Sequence, residues 1–429
     1  MSAEQQRLRF APLAAECLEA LRTGGRWQPA ADALARAARA ETALAASRAL
    51  FGEVVEPLAD SFDPAQAEAY AALFERVLTT IRSAPGFEAI DEALAESPND
   101  APPAFDPRRI RRAVVLSRVT LGADIAVTSV FLRTMLDHPA RPEVFFAAGP
   151  KNLAMFAGEP RVSGIQTPYP RAGGLRERLL VWLDARRAIA AAADGLAPGE
   201  LLILDPDSRI TQLGLLPLAP LQQHYFAFNS RCYREGEDGP LGALAAEWLE
   251  EHFGAGDRPP LPWIAPPPAD LEQAQHWRPT AGAKLAAINF GVGGNAAKSV
   301  AAPFEKEAAL ALAEKGFVMA VDAGFGEEEE RRAAELVDSL PPGTAKLHRG
   351  SFSSFAAVLS VADLFLGYDS GAAHAAAALG IRAIDVFAGA PTERMRSRWS
   401  PWGKRPALVL PVDQGEAAEN VLWRLRELL

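Results

Sequence analysis

The chain has 429 residues, of which 49% are hydrophobic and 23% are charged, and its formal net charge is −10 at pH 7. This length exceeds the usual size of a single domain, and this composition is that of a folded globular protein, so a largely disordered chain is excluded. The negative charge argues against a nucleic-acid partner.

The sequence predicts neither a membrane span nor a metal site. No run of about 18 apolar residues is free of charges, and no basic region followed by an apolar run opens the chain, so a transmembrane helix and a signal peptide are not expected. A cytoplasmic location follows as an expectation. Cys17 and Cys232 lie far apart without partners at metal-ligand spacing, which argues against a disulfide framework and a zinc site.

Residues 1–105 are predicted to form an all-α extension. They carry alanine, leucine, glutamate and arginine at helical spacing and almost no strand-like run, which favours a bundle of four or five helices. The segment 97–103, Ser-Pro-Asn-Asp-Ala-Pro-Pro, ends this region as a breaker. No catalytic constellation lies within it.

Residues 106–275 are predicted to form a Rossmann-like domain around a parallel sheet, because strand and helix patterns alternate along them. The Pro-rich stretch 258–268 closes this part and is interpreted as a stiff linker. The predicted strands are 113–116, 144–148 and 201–204, and the predicted helices are 125–136 and 175–192.

Residues 276–429 contain a second alternating series and predict a second Rossmann-like domain. The fold class is therefore α/β, with two Rossmann-like domains preceded by the helical extension. The predicted strands are 285–290, 317–321, 364–367, 383–387 and 407–410.

The loop after the first of these strands allows a competing interpretation. Gly291-x-Gly293-x-x-Ala296 satisfies a loose dinucleotide fingerprint, but the fingerprint needs a helix that starts at the glycines, whereas the helical pattern resumes only at Pro303. A phosphate-loop nucleotidase is excluded, since Ala297 stands where the glycine before the lysine is required. An NAD-dependent oxidoreductase stays open as an alternative.

A polar turn follows the strand at 364–367. Asp369, Ser370 and Gly371 lead into an alanine-rich helix, and His374 lies about one helical turn inside it. A helix N-terminus with a glycine and a hydroxyl donor favours an anion such as a diphosphate. The alternative is that Asp369 and Ser370 only cap the helix while His374 is a buried imidazole whose hydrogen bonds are satisfied.

Several features that follow this turn in order resemble the donor-binding half of family 9 glycosyltransferases, whose best-known members are the heptosyltransferases of lipopolysaccharide assembly. The resemblance covers residues 110 to 429, roughly, and is densest after residue 363. It implies a GT-B type fold and metal-independent, inverting transfer of a sugar from a nucleotide-diphosphate donor to a glycan, lipid-linked or protein acceptor, without a cofactor. The features are Asp-Ser-Gly-x-x-His, the Ala-Ala-Ala-Leu-Gly helix, Phe387-Ala388-Gly389, Pro391-Thr392 and Trp399-Ser400-Pro401-Trp402-Gly403.

The resemblance assigns donor-binding roles to matching positions of this chain. In the family a loop ending in lysine reaches the donor phosphates, a glutamate contacts the sugar, and a backbone loop receives the nucleobase. The matching residues are Gly293, Gly294 and Lys298, then Glu328 or Glu329, then Gly350, and finally Asp369, Ser370, Gly371, Ala372 and His374.

The catalytic base implied by the resemblance is Asp124. The segment before it is similar to the family's strand followed by Leu-Gly-Asp, and Thr120 matches a hydroxyl position beside the same turn. Here Ala123 is inserted between Gly122 and the acid, and this insertion would turn the carboxylate away from the cleft. The alternative is that Asp124 is a helix N-cap.

Two further hypotheses remain open. The inserted Ala123 favours a non-catalytic protein that binds a nucleotide sugar and uses its helical extension for assembly. The basic residues at 394–405 are consistent with attraction of the donor phosphates, and those at 108–112 with attraction of an anionic acceptor or the inner face of the cell membrane. For each group the alternative is a plain solvated face.

Overall fold

The computed structural model describes residues 3–39, 44–96, 102–170, 173–216, 218, 220, 222–235, 237–254, 256, 259–279 and 282–429. Most of the predicted breaker segment, residues 97–101, lies outside the described residues, as does Arg258 of the Pro-rich stretch. The chain forms two compact units. The first comprises residues 1–119, 138–149 and 163–237, and the second comprises residues 120–137, 150–162 and 238–429.

The described helices and strands alternate from residue 112 onward. The helices are α1 Ala3–Thr23, α2 Gln28–Ala38, α3 Leu44–Arg48, α4 Glu56–Ala59, α5 Pro64–Ile81, α6 Glu88–Ala95, α7 Leu121–Ala123, α8 Ser129–Leu136, α9 Pro150–Ala154, α10 Leu175–Ala192, α11 Leu241–Phe253, α12 Pro268–Ala274, α13 Phe304–Glu314, α14 Glu327–Asp338, α15 Phe352–Leu359, α16 Gly371–Leu379, α17 Glu393–Trp399 and α18 Ala418–Leu428. The strands are β1 Arg112–Leu116, β2 Glu143–Ala148, β3 Val162–Gln166, β4 Leu201–Asp205, β5 His224–Ala227, β6 Lys284–Asn289, β7 Phe317–Asp322, β8 Ala345–His348, β9 Leu364–Tyr368, β10 Arg382–Ala388 and β11 Leu408–Val412.

The first sheet has the strand order β3-β2-β1-β4-β5, and β1 runs parallel to both β2 and β4. The three strands predicted for this region are confirmed, whereas β3 and β5 were not predicted. Both lie at the edges of the sheet and are only partly buried, so their sequences lack the continuous apolar runs of the central strands.

The N-terminal helices and the first sheet share one hydrophobic core. In α5 the side chain of Asp63 caps the helix by accepting the Gln66 N–H, and the apolar residues of that helix, at intervals of three and four, form a buried face. Phe74 of this face belongs to the same cluster of buried side chains as Val114 of β1 and Ile203 of β4. The helical character predicted for this region is confirmed, and its helices cover apolar surface of the sheet.

The second sheet has the order β11-β10-β9-β6-β7-β8, and all its neighbouring strands are parallel. The five strands predicted here are confirmed. The short β8 was missed, because Ala-Lys-Leu-His carries too few apolar residues to predict a strand. Counted from β6, this is the strand order of a doubly wound Rossmann-like sheet, in which the chain leaves β6 toward one edge and β9 toward the other.

Helices and loops outside the sheets complete the second unit. The Pro-rich stretch packs within this unit, since the Trp263 N–H and indole N–H both donate to Ser129 of α8. No helix of the described ranges is long and apolar enough to cross a bilayer. The division of roles among residues 1–105, 106–275 and 276–429 stays a prediction.

Candidate functional site

The candidate site lies at the carboxyl ends of β6 and β9 in the second unit. Adjacent parallel strands whose connections diverge create a crevice at that edge, where open α/β sheets bind ligands. The loop after β6 carries Lys298 and the turn after β9 carries Asp369, and the lysine ammonium pairs with the aspartate carboxylate across this point. The pair is only partly shielded, since the lysine side chain is 28% exposed.

The N-terminus of α16 points into the same place. Ser370 occupies the N-cap position in extended backbone, yet its side chain makes no capping hydrogen bond, and its hydroxyl oxygen is buried without a partner among the described residues. Asp369 is engaged by Lys298 instead. The interpretation of both side chains as simple helix caps is therefore wrong. Gly371 and the buried Ala372 open the helix, so this end offers uncompensated donors and a positive dipole.

His374 lies one turn into α16 and is 4% exposed. Burial lowers the pKa of its imidazole to about 4, so the ring is neutral at pH 7. Its Nδ1 has no hydrogen-bond partner among the described residues, and its ring lies edge-on to Trp399 at 6.2 Å between centroids. The imidazole is thus buried, as the alternative interpretation expected, but it is not satisfied, because one hydrogen-bonding nitrogen has no partner among the described residues.

The glycine loop before Lys298 is held by Glu329. Gly293 and Gly294 adopt φ angles of 59° and 82°, which favour glycine. The carboxylate of Glu329 accepts the N–H groups of Val292 at 2.9 Å, Gly293 at 2.8 Å and Phe325 at 2.6 Å. Glu329 therefore clamps two loops, whereas Glu328 is exposed.

No helix starts at these glycines. The loop contains a single 3₁₀ turn, and α13 begins at Phe304. The geometry that a dinucleotide fingerprint requires is absent from this part of the described chain.

Gly350 follows β8, two strands from β6 along the same edge. It is exposed, and a Cβ atom added to it would lie 2.4 Å from the Ser354 hydroxyl oxygen and 3.1 Å from the His348 ring. The next residue, Ser351, caps α15 by accepting the Ser354 N–H at 3.2 Å. Only glycine fits here without a shift of its neighbours.

Helix α7 packs directly on α16 within the second unit. Thr120 is the N-cap residue of α7, so the interpretation of Asp124 as the N-cap is wrong. Gly122 faces the helix, and a Cβ atom on it would lie 3.2 Å from the Gly371 Cα and 3.3 Å from His374 Cδ2. The glycines at positions 122 and 371 permit this close approach of α7 to the first turn of α16.

Asp124 points to another side of the same helical segment. Successive helical residues are rotated by about 100°, so the Cα–Cβ direction of Asp124 differs from the direction that a Cβ atom on Gly122 would take. It accepts hydrogen bonds from Thr128 Oγ1 at 2.6 Å and Asn152 Nδ2 at 2.5 Å, and it is 1% exposed. The inserted Ala123 directly precedes a π-helical turn, Asp124–Thr128, which holds one residue more than an α-helical turn.

Asp385 is a buried carboxyl group that sequence reasoning missed. It stands on β10 opposite Gly367 of β9, it is fully buried, and neither carboxyl oxygen has a partner among the described residues. Burial, and to a smaller extent the charge of Asp369, raises its pKa well above 3.8. An aspartate within an apolar strand pattern was the only sequence signal.

Replacing Asp385 by asparagine is expected to stabilise the protein increasingly as pH rises above 3.8. Because the pKa is raised on folding, the native state holds a proton that the unfolded state releases, so the wild-type protein loses stability with rising pH, and a neutral amide does not. Urea unfolding of both proteins at pH 4 and pH 8 measures this. A stability difference that is the same at both pH values would contradict the assignment.

No cluster of three or more metal-ligating side chains occurs among the residues that the structure describes. Metal independence of the predicted reaction stays a prediction. The structure brings Lys298, Asp369, Ser370, Gly371 and His374 together, and it places Gly350 and Glu328 farther along the same edge of the sheet.

The part of the chain that contains most of this site matches a known protein family. Residues 297–421 match the family model described as Glycosyltransferase family 9 (heptosyltransferase). The resemblance to family 9 is confirmed. The matched segment contains Lys298 and all of the turn and helix from Asp369 to His374.

Solved structures agree on the fold. A family 9 glycosyl transferase from Veillonella parvula DSM 2008 superposes with a TM-score of 0.54 at 17% identity, over 71% of this chain and 86% of that one. E. coli heptosyltransferase WaaC with ADP gives a TM-score of 0.53 at 17% identity, over 74% of this chain and 99% of that one. The chain thus has a GT-B type, heptosyltransferase-like fold. No curated protein matches the chain by sequence.

Proposed function

We propose that this protein is a metal-independent, inverting glycosyltransferase that moves a sugar, such as a heptose, from a nucleotide-diphosphate donor to a hydroxyl acceptor. The family 9 segment and the heptosyltransferase-like fold support glycosyl transfer. The acceptor belongs to the class of glycans, lipid-linked or protein-linked hydroxyl compounds. The place of action proposed for it is the cytoplasm, at the inner face of the membrane when the acceptor is lipid-linked.

The observation that carries this proposal is the cradle at the N-terminus of α16. An unpartnered hydroxyl at Ser370, an uncapped helix end and the ammonium of Lys298 converge at the switch point of the sheet. A diphosphate would satisfy all three, because its charged oxygens accept hydrogen bonds from each. Lys298 and the helix end would stabilise the charge that develops on the diphosphate as the glycosidic bond breaks.

The proposed reaction inverts the anomeric carbon. The acceptor oxygen attacks from the face opposite the diphosphate, the carbon–oxygen bond to the diphosphate breaks, and the hydroxyl proton passes to a base, for which Asp124 is the residue supported by the resemblance. A base must come within hydrogen-bond reach of the attacking hydroxyl. The buried Asp124 would meet that requirement only in a form of the protein in which its carboxylate is released from Thr128 and Asn152.

A second candidate function rests on that burial. Asp124 is 1% exposed, and both of its oxygens accept side-chain hydrogen bonds. Such a carboxylate suits a protein that binds a nucleotide sugar without transferring it. A transferase consumes the donor, whereas a binding protein leaves it intact, so the amount of donor left after incubation distinguishes the two functions.

The first test is a thermal-shift screen of ADP-, UDP- and GDP-sugars. A ligand at a hundredfold its dissociation constant is expected to add about 2.7 kcal/mol to the free energy of unfolding. NAD serves as the comparison ligand, because a shift with NAD alone would favour an oxidoreductase. Absence of any shift with all three nucleotide sugars would contradict both proposed functions.

The second test separates the two functions with Asp124→Asn. In a transferase that uses this base, the variant binds the donor as the wild type does and loses transfer and donor hydrolysis by about a hundredfold or more, the usual contribution of a general base. Mass spectrometry of donor and product after incubation with acceptor glycans measures this. A wild-type protein that binds the donor but leaves it intact with every acceptor would support the binding protein.

A further inference from the structure

Tyr368 is the last residue of β9 and directly precedes Asp369. Its side chain points into the hydrophobic core of the second unit, where its ring packs between Phe290 and Phe304 at centroid distances of 5.2 and 6.3 Å. The ring is fully buried, so the hydroxyl group lies inside the core of the second unit. A buried hydroxyl group costs free energy unless it is hydrogen-bonded.

This hydroxyl group both accepts and donates a hydrogen bond. Tyr368 Oη accepts the backbone N–H of Val300 at 3.1 Å and donates to Glu305 Oε1 at 3.2 Å. Arg332 of α14 donates to the same glutamate oxygen at 2.5 Å. A chain of hydrogen bonds therefore runs from α14 through Glu305 and Tyr368 to the backbone at Val300.

Val300 lies two residues beyond Lys298, so this chain ends at the lysine loop. The other end of the loop is the segment Val292–Gly293, which Glu329 holds by two backbone N–H groups. Between these two attachments the Lys298 N–H closes a 3₁₀ turn by donating to Asn295 O at 3.0 Å. The backbone that carries the ammonium group is thus tied on both sides.

We propose that Tyr368, anchored by Glu305 and Arg332, is a positioning residue that fixes the Lys298 loop for the diphosphate of the donor. The inference rests on the proposed function, in which Lys298 contacts that diphosphate. Packing alone does not require the hydroxyl, because phenylalanine would fill the same volume. Burial raises the pKa of Tyr368, so its hydroxyl keeps the proton that it donates to Glu305.

The test uses Tyr368→Phe, which removes one oxygen and keeps the ring. Calorimetric titration with ADP, UDP and GDP gives the dissociation constant of the best-bound nucleotide for the wild type, Tyr368→Phe, Lys298→Met and the double variant. Loss of one hydrogen bond to the loop is expected to weaken binding by about three- to tenfold. The double variant is expected to bind no more weakly than Lys298→Met, because Tyr368 acts through the lysine.

A matched control is Tyr70→Phe, which removes a buried hydroxyl from the first unit, where it lies within 3.3 Å of Gln212 oxygens. It should leave nucleotide binding unchanged. Glu305→Gln provides a second variant without any change in the packed ring, and it should weaken binding in the same direction as Tyr368→Phe.

Two results would overturn the inference while leaving the proposed function in place. The first is that Tyr368→Phe and Glu305→Gln bind the nucleotide with wild-type affinity. The second is that the effects of Tyr368→Phe and Lys298→Met on binding are independent and additive. Either result would show that the hydrogen-bond chain only stabilises the fold. Failure of the wild-type protein itself to bind any of the three nucleotides would instead refute the proposed function, and the inference with it.

Discussion

Replacement of Lys298 by methionine is expected to weaken nucleoside diphosphate binding by about ten- to a hundredfold, the effect of losing a hydrogen bond to a charged group. Lys298 is the cation that meets Asp369 at the switch point of the second sheet, and methionine keeps much of its length without the charge. Titration calorimetry with ADP, UDP and GDP measures the change. A rising salt concentration should weaken nucleotide binding by the wild type more than binding by the variant.

Lys306→Met is the matched control, because Lys306 is exposed on the neighbouring helix α13. Equal losses in the two variants would mean that general charge, rather than Lys298, attracts the nucleotide.

A second comparison separates binding from folding. Lys298→Met leaves the buried Asp369 without its ion-pair partner, so it should also lower the unfolding free energy.

The double variant Lys298→Met, Asp369→Asn removes both charges of the pair. It is expected to recover most of the lost stability, since no unpaired buried charge remains, but it should not recover nucleotide binding. Thermal unfolding and calorimetry of the same samples measure the two effects. Recovery of binding together with stability would show that Lys298 acts only on the fold.

Deletion of residues 1–105 is expected to prevent the first unit from folding. Helices of this segment form one core with the first sheet, in which Leu34 and Phe87 are fully or almost fully buried together with Val114 and Ile203. Their removal would expose apolar surface of the sheet to water, and the stability of a domain is too small to tolerate such a loss. Soluble expression, circular dichroism and thermal unfolding of the truncated chain measure this.

Point variants test the same claim without a deletion. Phe74→Ala, at a buried position of α5, is expected to lower the unfolding free energy by about 3–5 kcal/mol. Glu75→Ala changes the exposed neighbour on the same helix and should have little effect. A truncated chain with wild-type thermal unfolding would show instead that the extension is an independent module.

Much of the fold could be predicted because its signals are local. The central strands are continuous apolar runs, and α10 was predicted at the observed bounds, Leu175–Ala192. The polar turn from Asp369 to His374 was found for the same reason, since a strand, a turn and a helix start follow one another within a few residues. The edge strand β5 and the short β8 escaped because edges and short strands carry weak patterns.

The candidate site could be predicted only in part. Its residue types and the order of its motifs are present in the sequence, and they are sufficient to indicate family 9. Contacts between distant residues could not be predicted from the sequence. Glu329 closes two loops, and Asn152 and Thr128 enclose the Asp124 carboxylate. No spacing rule relates Asn152 to Asp124, because the two are 28 positions apart on different helices.

What the amino-acid order alone indicated is the alternation of strands and helices, the helical N-terminal region and the polar turn between a strand and a helix before α16. Each depends on neighbours within one or two helical turns. The direction of the Asp124 carboxylate, the pairing of Lys298 with Asp369 and the isolation of Asp385 depend on packing between remote segments. Packing decides them, because a rotation of about 100° per residue along a helix changes which element a side chain meets.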